Sequence, residues 1–321
     1  MAGDAMRVKS APPLCRDIPT MSLDAFRLPG RFYRGNLHTH STMSDGELAP
    51  AEVCRRYREA GYDFICLSDH FLPAYDFPVS DTRAYRTDSF TTILGAEVHV
   101  AATSLGEKWH LLANGLPLDF APVRAGETGA QLARRCADAG AFVSIVHPEW
   151  YSLSVEDAMT IDAAHAVEVY NHTSALRTAR GGGSNLLDQL LASGRRLNAL
   201  ATDDAHFLVD DAFGGWGMVK ATDNTPDALV QALKAGHYYS TQGPTIHDIR
   251  LEDDELVVDC SPAFGVYLLG KGSRSVQSEV RGQTTARLSA GRMGKGGFMR
   301  VVVVDEQGRS AWSNPMWRGE F

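Results

Sequence analysis

The apolar positions of the chain fall into a unit that recurs three times: an amphipathic helix, a glycine, a short apolar strand, then polar residues. In the first copy Val53, Tyr57 and Ala60 recur at helical spacing over 50–60, Pro50 suits a first helical turn and Gly61 suits a C-terminal cap. Phe64-Ile65-Cys66-Leu67 then reads as a buried strand ending at Ser68-Asp69-His70. The second copy predicts a helix over 128–139 with Leu132, Cys136 and Ala139 on one face, a stop at Gly140, and a strand over 141–146 leading to His147-Pro148. The third predicts a helix over 184–193 with Ser184 as its N-cap, then Gly194 and a strand over 197–201 leading to Thr202-Asp203-Asp204-Ala205-His206. Further strands are expected at 91–96 before Glu97, at 109–113 around His110 and at 165–170.

Polar residues just past the C-terminal ends of parallel strands mark the edge where α/β folds gather their active sites. Because these strand ends are far apart in sequence yet must converge, an α/β barrel is favoured over an open sheet. After about Thr245 the texture changes to short strands at 246–251, 256–260, 266–269, 286–288 and 299–304, with a turn at Asp305-Glu306-Gln307-Gly308. The expected organisation is a loose N-terminal arm (1–30), a barrel (31–245) and a small antiparallel β domain (246–321).

Composition narrows the class without naming it. The 321 residues are 44% hydrophobic and 22% charged, a soluble globular profile, and the formal net charge of -8 offers no basic footprint for a nucleic-acid scaffold. Cys15, Cys54, Cys66, Cys136 and Cys260 are unpatterned, which points to reduced thiols in the cytoplasm and leaves His and carboxylates as the metal-binding residues. The first thirty residues lack a continuous apolar segment of the signal-peptide kind, and no run approaches membrane-spanning length. No pattern advertises an oligomeric interface.

The sharpest motif is Asn36-Leu37-His38-Thr39-His40-Ser41, followed by Ser44-Asp45-Gly46. His-x-His at a strand end puts both imidazoles on one face, a natural site for zinc, manganese or iron. Alone the pair is weak evidence. Its company is stronger: Asp69-His70, Glu97, His110, His147 and Asp204-x-His206 all fall at expected strand ends. No GxSxG elbow supports a serine nucleophile, and Cys54 and Cys66 sit inside expected elements, where inert thiols are usual.

In that order, His38-Thr39-His40-Ser41 with Ser44-Asp45-Gly46, Ser68-Asp69-His70, Gly95-Ala96-Glu97, His147-Pro148 and Asp204-Ala205-His206 resemble the PHP (polymerase and histidinol phosphatase) superfamily over about residues 34–245. Tyr239-Ser240-Thr241-Gln242-Gly243-Pro244 and Ala311-Trp312-Ser313-Asn314-Pro315 further resemble its CehA/McbA-type branch of metallohydrolases. The resemblance implies a distorted (β/α)7 barrel holding two or three divalent metal ions. It implies that His38, His40, Glu97 and Asp204 hold the first, that Glu97 bridges to a second completed by His110 and His147, and that Asp45, His70 and His206 hold a third. Asp204 and Glu97 are thus the expected catalytic carboxylates, around a hydroxide shared between metals.

Around that set, Asp69 and Asn171 are candidates to orient ligands, and Asp203 shares the status of Asp69. His172, Arg177 and Arg180, on an expected loop with Gly181-Gly182-Gly183, are candidate substrate contacts, Arg being suited to phosphate or carboxylate. For His99 a non-ligand role is favoured, and His165, His237 and His247 read as structural or surface histidines. Three functions stay open: a phosphoesterase acting on a small phosphomonoester or phosphodiester, a carboxyl-ester or carbamate hydrolase on the same metals, and a non-catalytic metal-binding module.

Overall fold

The computed structural model describes residues 24–294 and 297–317, so most of the expected N-terminal arm, with Cys15, lies outside the described residues. β1 (Arg31–Asn36) runs straight into the His-x-His segment. α1 (Pro50–Glu59) starts on Pro50, whose missing N–H is one the first turn leaves unbonded anyway, and Gly61 follows it at φ 81°. β2 (Phe64–Leu67) is fully buried, and β3 (His70–Phe71) and β4 (Thr91–Val100) pair parallel to each other. β5 (Trp109–Asn114) turns back antiparallel to β4. α2 (Gly129–Asp138) is opened by a capping box in which Thr128 and Gln131 bond each other's backbone N–H. It leads to β6 (Phe142–Ile145), α3 (Val155–Thr160), β7 (Ala166–Asn171), α4 (His172–Thr178), α5 (Ser184–Ala192), β8 (Asn198–Thr202), β9 (Trp216–Ala221), α6 (Pro226–Lys234) and β10 (Tyr238–Thr241).

These strands form one curled sheet in the order β10-β9-β1-β2-β4-β5-β6-β7-β8. The expectation of a (β/α)7 barrel is corrected in two respects. β5 and β9 run antiparallel to their neighbours; for β5 the reason is that residues 101–108 are too short a link for the helical crossover, about a dozen residues or more, that a parallel return from β4 needs. The ladder is also not closed: β8 and β10 meet through a side chain, Ser240 Oγ donating to Ala199 O at 3.0 Å and accepting from Ala201 N–H at 3.1 Å. Two local expectations change as well. Ser184 is the first residue of α5 rather than its cap, and the expected loop after Asn171 begins with α4, capped by Asn171 itself.

β11 (Ile246–Glu252), β12 (Glu255–Ala263), β13 (Gly265–Gly270), β14 (Ser275–Ser278), β15 (Gln283–Ser289), β16 (Phe298–Val304), β17 (Ser310–Ser313) and β18 (Met316–Trp317) complete the chain. β11, β12 and β15 form a three-stranded antiparallel sheet, whereas β14, β13, β16 and β17 continue the main sheet through the β17–β10 pairing. Buried Asn314 fastens this junction by accepting from Ala199 N–H at 3.0 Å and donating to Gly236 O and Tyr238 O at 2.9 Å. Arg300, 2% exposed, makes a bidentate pair with Asp188 of α5. Among the described residues no helix is long and apolar enough to cross a membrane.

Candidate metal centre

The curl of the sheet turns several strand ends and loops toward one point. His38 and His40 leave β1 on the same face, Asp45 follows in the next turn, and His70 opens β3. Glu97 and His110 lie within the β4–β5 ladder rather than at strand ends, with Glu97 opposite His70 on one side and His99 opposite His110 on the other. His147 follows β6 and Asp204 follows β8, and both hold positive φ, 28° and 58°. Such conformations cost about 1–3 kcal/mol each and persist where the surroundings enforce them.

The candidate atoms gather into overlapping groups, each within 4.8 Å: His38, His40, Glu97 and Asp204; Glu97, His110 and His147; His40, Asp45, His70 and His206. Glu97, fully buried, sits at the junction. Its Oε2 is 3.5 Å from both His38 Nε2 and His40 Nε2, while its Oε1 is 2.7 Å from His110 Nδ1 and 3.2 Å from His147 Nε2. Asp204 Oδ1 is 3.1 and 3.0 Å from the same two nitrogens of His38 and His40. Asp45 lies 3.4 Å from both His70 Nε2 and His206 Nε2. His38 Nε2 and Glu97 Oε2 are buried without a hydrogen-bond partner among the described residues, which a protein fold tolerates poorly. The orphaned atoms and the His/carboxylate donor set fit divalent cations of the zinc, manganese and iron kind.

Without cations, protons and carboxylates answer one another. Burial works against charge on His38, yet Asp204 and Glu168 hold its imidazole well above the ordinary range. His70, buried but beside Glu97 and Asp45, is pushed up to about 10. His40 moves the other way, to about 4, through burial and its neighbours His206 and His70. Despite burial, the surrounding histidines hold Glu97 and Asp204 far below the usual carboxylate range.

The supporting residues divide in a way the sequence did not announce. Glu168, in the middle of β7 and fully buried, faces His38 Nδ1 at 3.1 Å and accepts from His147 N–H at 2.6 Å, Asn171 Nδ2 at 2.9 Å and the Thr202 hydroxyl. It fixes the proton of His38 on Nδ1 and leaves Nε2 free to ligate. Asn171 also donates to Asp204 Oδ2 at 3.1 Å. His206 reaches the same condition through Nδ1, 2.8 Å from the Asp204 carbonyl. Asp69 touches no ring nitrogen; it accepts from Ser41, Ser44 and Ser80 and so shapes the turn after His40. Asp203 takes the Tyr57 hydroxyl and the N–H groups of Phe213, Gly214 and Gly215, and burial raises its carboxyl to about 6.

A cavity of about 440 Å³ opens over the candidate ligands and is walled by Trp150, Thr173, Ser174, Arg177, Thr178 and Leu208. Arg177 has no carboxylate partner among the described residues. Of the other expected substrate contacts, His172 is not in the wall; its Nδ1 meets the Tyr170 hydroxyl at 2.8 Å and its ring packs on Gly214. Arg180 points elsewhere too, reaching the Trp150 carbonyl at 3.4 Å. Trp150, edge-on to His110 and His147, went unnoticed because a lone tryptophan after His-Pro-Glu carries no spacing signal.

A mixed α/β sheet carrying a His/carboxylate cluster of this kind defines a metal-binding α/β protein. Residues 36–172 match the PHP domain family, and that stretch carries the candidate ligands from His38 to His147. Over 138 residues, 42% of the chain, it is 28% identical to an uncharacterised protein of Methanocaldococcus jannaschii, and that match spans 55% of the relative's length. A solved structure from Bacteroides vulgatus, described as a two-domain protein containing a predicted PHP-like metal-dependent phosphoesterase, is similar with a TM-score of 0.52 at 17% identity. It covers 87% of this chain and 93% of that one, a likeness of fold.

Proposed function

We propose that the protein is a metal-dependent hydrolase and that the bond it cleaves is a phosphate ester. The observation that carries this reading is Glu97, whose two oxygens face separate histidine sets and so suit it to bridge two cations. His38, His40, Glu97 and Asp204 would hold one ion, Glu97, His110 and His147 a second, and Asp45, His70 and His206 a third. When bound, such cations lower the pKa of a coordinated water and stabilise negative charge on substrate oxygens. The chain supplies the rest. Glu168 and Asn171 orient His38 and Asp204, and Asp204, which lines the cavity, would take up the proton of the attacking water. Arg177, with the hydroxyls of Thr173 and Ser174 nearby in the wall, would hold substrate oxygens the metals do not reach. A third cation and a free guanidinium suit phosphate, whose several oxygens need several positive partners.

The test is hydrolysis of matched p-nitrophenyl substrates by metal-reconstituted protein: a phosphomonoester, a phosphodiester, a carboxyl ester and a carbamate, with a chelated control. Chelator-sensitive turnover of the phosphate esters, lost in folded His38→Ala and Asp204→Ala variants, is expected. Preference for the carbonyl substrates would replace this reading with an ester or carbamate hydrolase of the CehA/McbA type. No turnover with metals bound would favour a non-catalytic module.

A further inference from the structure

His99 is the one histidine of the cluster without a role in the ligand groups above. It is 3% exposed, lies two residues past Glu97 on the same face of β4, and packs its ring against both His70 and His110. Its Nε2 is 2.9 Å from His70 Nδ1 and 3.8 Å from Glu97 Oε2, and that Glu97 oxygen is 2.8 Å from the same His70 nitrogen. Its Nδ1 is buried without a hydrogen-bond partner among the described residues. A tetrahedral cation with ligands at about 2.0–2.1 Å spaces them by about 3.3 Å. The three separations bracket that value.

We propose that His70 Nδ1, His99 Nε2 and Glu97 Oε2 form a further, inner metal seat. The two nitrogens of His70 point to opposite sides, Nε2 toward Asp45 at 3.4 Å and Nδ1 toward Glu97 and His99. A neutral imidazole offers one lone pair, so the outer and inner seats are alternatives for a single third ion. The outer seat is the more open, its Asp45 side chain 42% exposed, against 0% for Glu97 and 2% for His99. A third ion on the inner seat is therefore shielded from chelators and survives loss of Asp45. The inner seat rests on the metal-centre part of the proposed function and is independent of which bond is cleaved.

The probe is Zn²⁺ alone, with bound metal per chain counted by mass spectrometry after gel filtration. Three ions are expected in the wild-type protein and in Asp45→Asn/His206→Ala, and two once His99→Ala is added to that pair. His99→Ala alone keeps three through the outer seat. Two ions in Asp45→Asn/His206→Ala, with circular dichroism unchanged, would overturn the inner seat while leaving the other metals intact. A wild-type protein that binds no metal would instead overturn the metal-centre reading itself. Wild-type crystals give a second readout that does not depend on any variant folding. An anomalous peak on the Nδ1 side of His70 supports the inner seat, and a peak confined to the Nε2 side overturns it.

Discussion

Replacing Glu168 by Gln tests whether a buried carboxylate with no place in the ligand groups governs the metal centre. Glu168 has two oxygens facing two pairs of groups: His38 Nδ1 and the Thr202 hydroxyl on one side, His147 N–H and Asn171 Nδ2 on the other. Gln keeps the shape but turns one acceptor into a donor, so one pair must face an NH2 whichever way the amide is set. With the NH2 toward His147 and Asn171, two buried donors lose their acceptor, at about 1–3 kcal/mol each. With it toward His38, the imidazole proton must move to Nε2, the nitrogen that the first metal needs. Either setting lowers both stability and metal affinity. The expected outcome is a metal-free protein destabilised by roughly 2–6 kcal/mol and a metal affinity reduced roughly 10- to 100-fold, the usual effect of removing a ligand's orienting partner. Urea unfolding of the metal-free protein gives the first number and competition with a fluorescent chelator gives the second. A variant that binds metal within twofold of wild type, with an unchanged unfolding midpoint, would refute the role assigned to Glu168.

Metal uptake should release protons. His38 is held above its ordinary range and His70 is pushed up to about 10, so below those values each ring carries a proton that a cation must displace. Affinity therefore rises with pH through the neutral range, and an indicator dye in weak buffer at pH 7.5 should register at least two protons released per chain; none would contradict the assignment. Arg177→Ala should lower kcat/KM for phosphate esters roughly 10- to 100-fold, as expected of one charge-assisted contact of about 1.5–3 kcal/mol, mainly through KM and with partial recovery in Arg177→Lys. An unchanged KM would remove Arg177 from the substrate site. Gly95→Ala places a Cβ 2.6 Å from both Ala113 O and Cys66 Sγ, so β4 must shift against β5 two residues before Glu97. Thermal unfolding should show a loss of about 1–3 kcal/mol, accompanied by weaker metal binding; wild-type behaviour in both would mean the strands accommodate the methyl group.

How much was legible in the chain depended on whether the information was local. The helix–glycine–strand units were, because amphipathic spacing, Pro50 in a first turn and glycines at positive φ are encoded within a few residues. Most of the candidate ligands were too, since His38, His70, Glu97, His110, His147 and Asp204 follow or sit within apolar runs. Pairing was not: β9, β10 and β17 are short, and their membership in the sheet is decided by partners far away in sequence. That is why the expected distorted barrel is seen as a curled mixed sheet whose ladder is not closed. Arg177 was expected on a loop with Gly181-Gly182-Gly183; the weak helix formers Thr173, Ser174 and Thr178 are nonetheless helical, held by the N-cap bond from Asn171 and packing on β7. Glu168 was invisible for a different reason. In Val167-Glu168-Val169 an alternating pattern places the acid outward, but in a curled sheet covered by helices the opposite face is the interior of the metal centre.

The same interior explains why the site is costly to the fold that carries it. His147 and Asp204 hold left-handed backbone, and His38 Nε2, Glu97 Oε2, His99 Nδ1 and His147 Nδ1 are buried without hydrogen-bond partners among the described residues. Each feature is individually unfavourable by about 1–3 kcal/mol, and all fall within one cluster of side chains. Orphaned atoms also occur elsewhere, at Thr82, Asn114 and Tyr238 for example, so packing outweighs such costs, but it cannot explain why ring nitrogens and a carboxylate oxygen of one cluster lie unpaired beside one another. Divalent cations can, because a ligand bound only by the folded state stabilises it by about 2.7 kcal/mol per site at one hundred times its Kd. The orphaned atoms at Glu97 are thus what the proposed metal centre would satisfy.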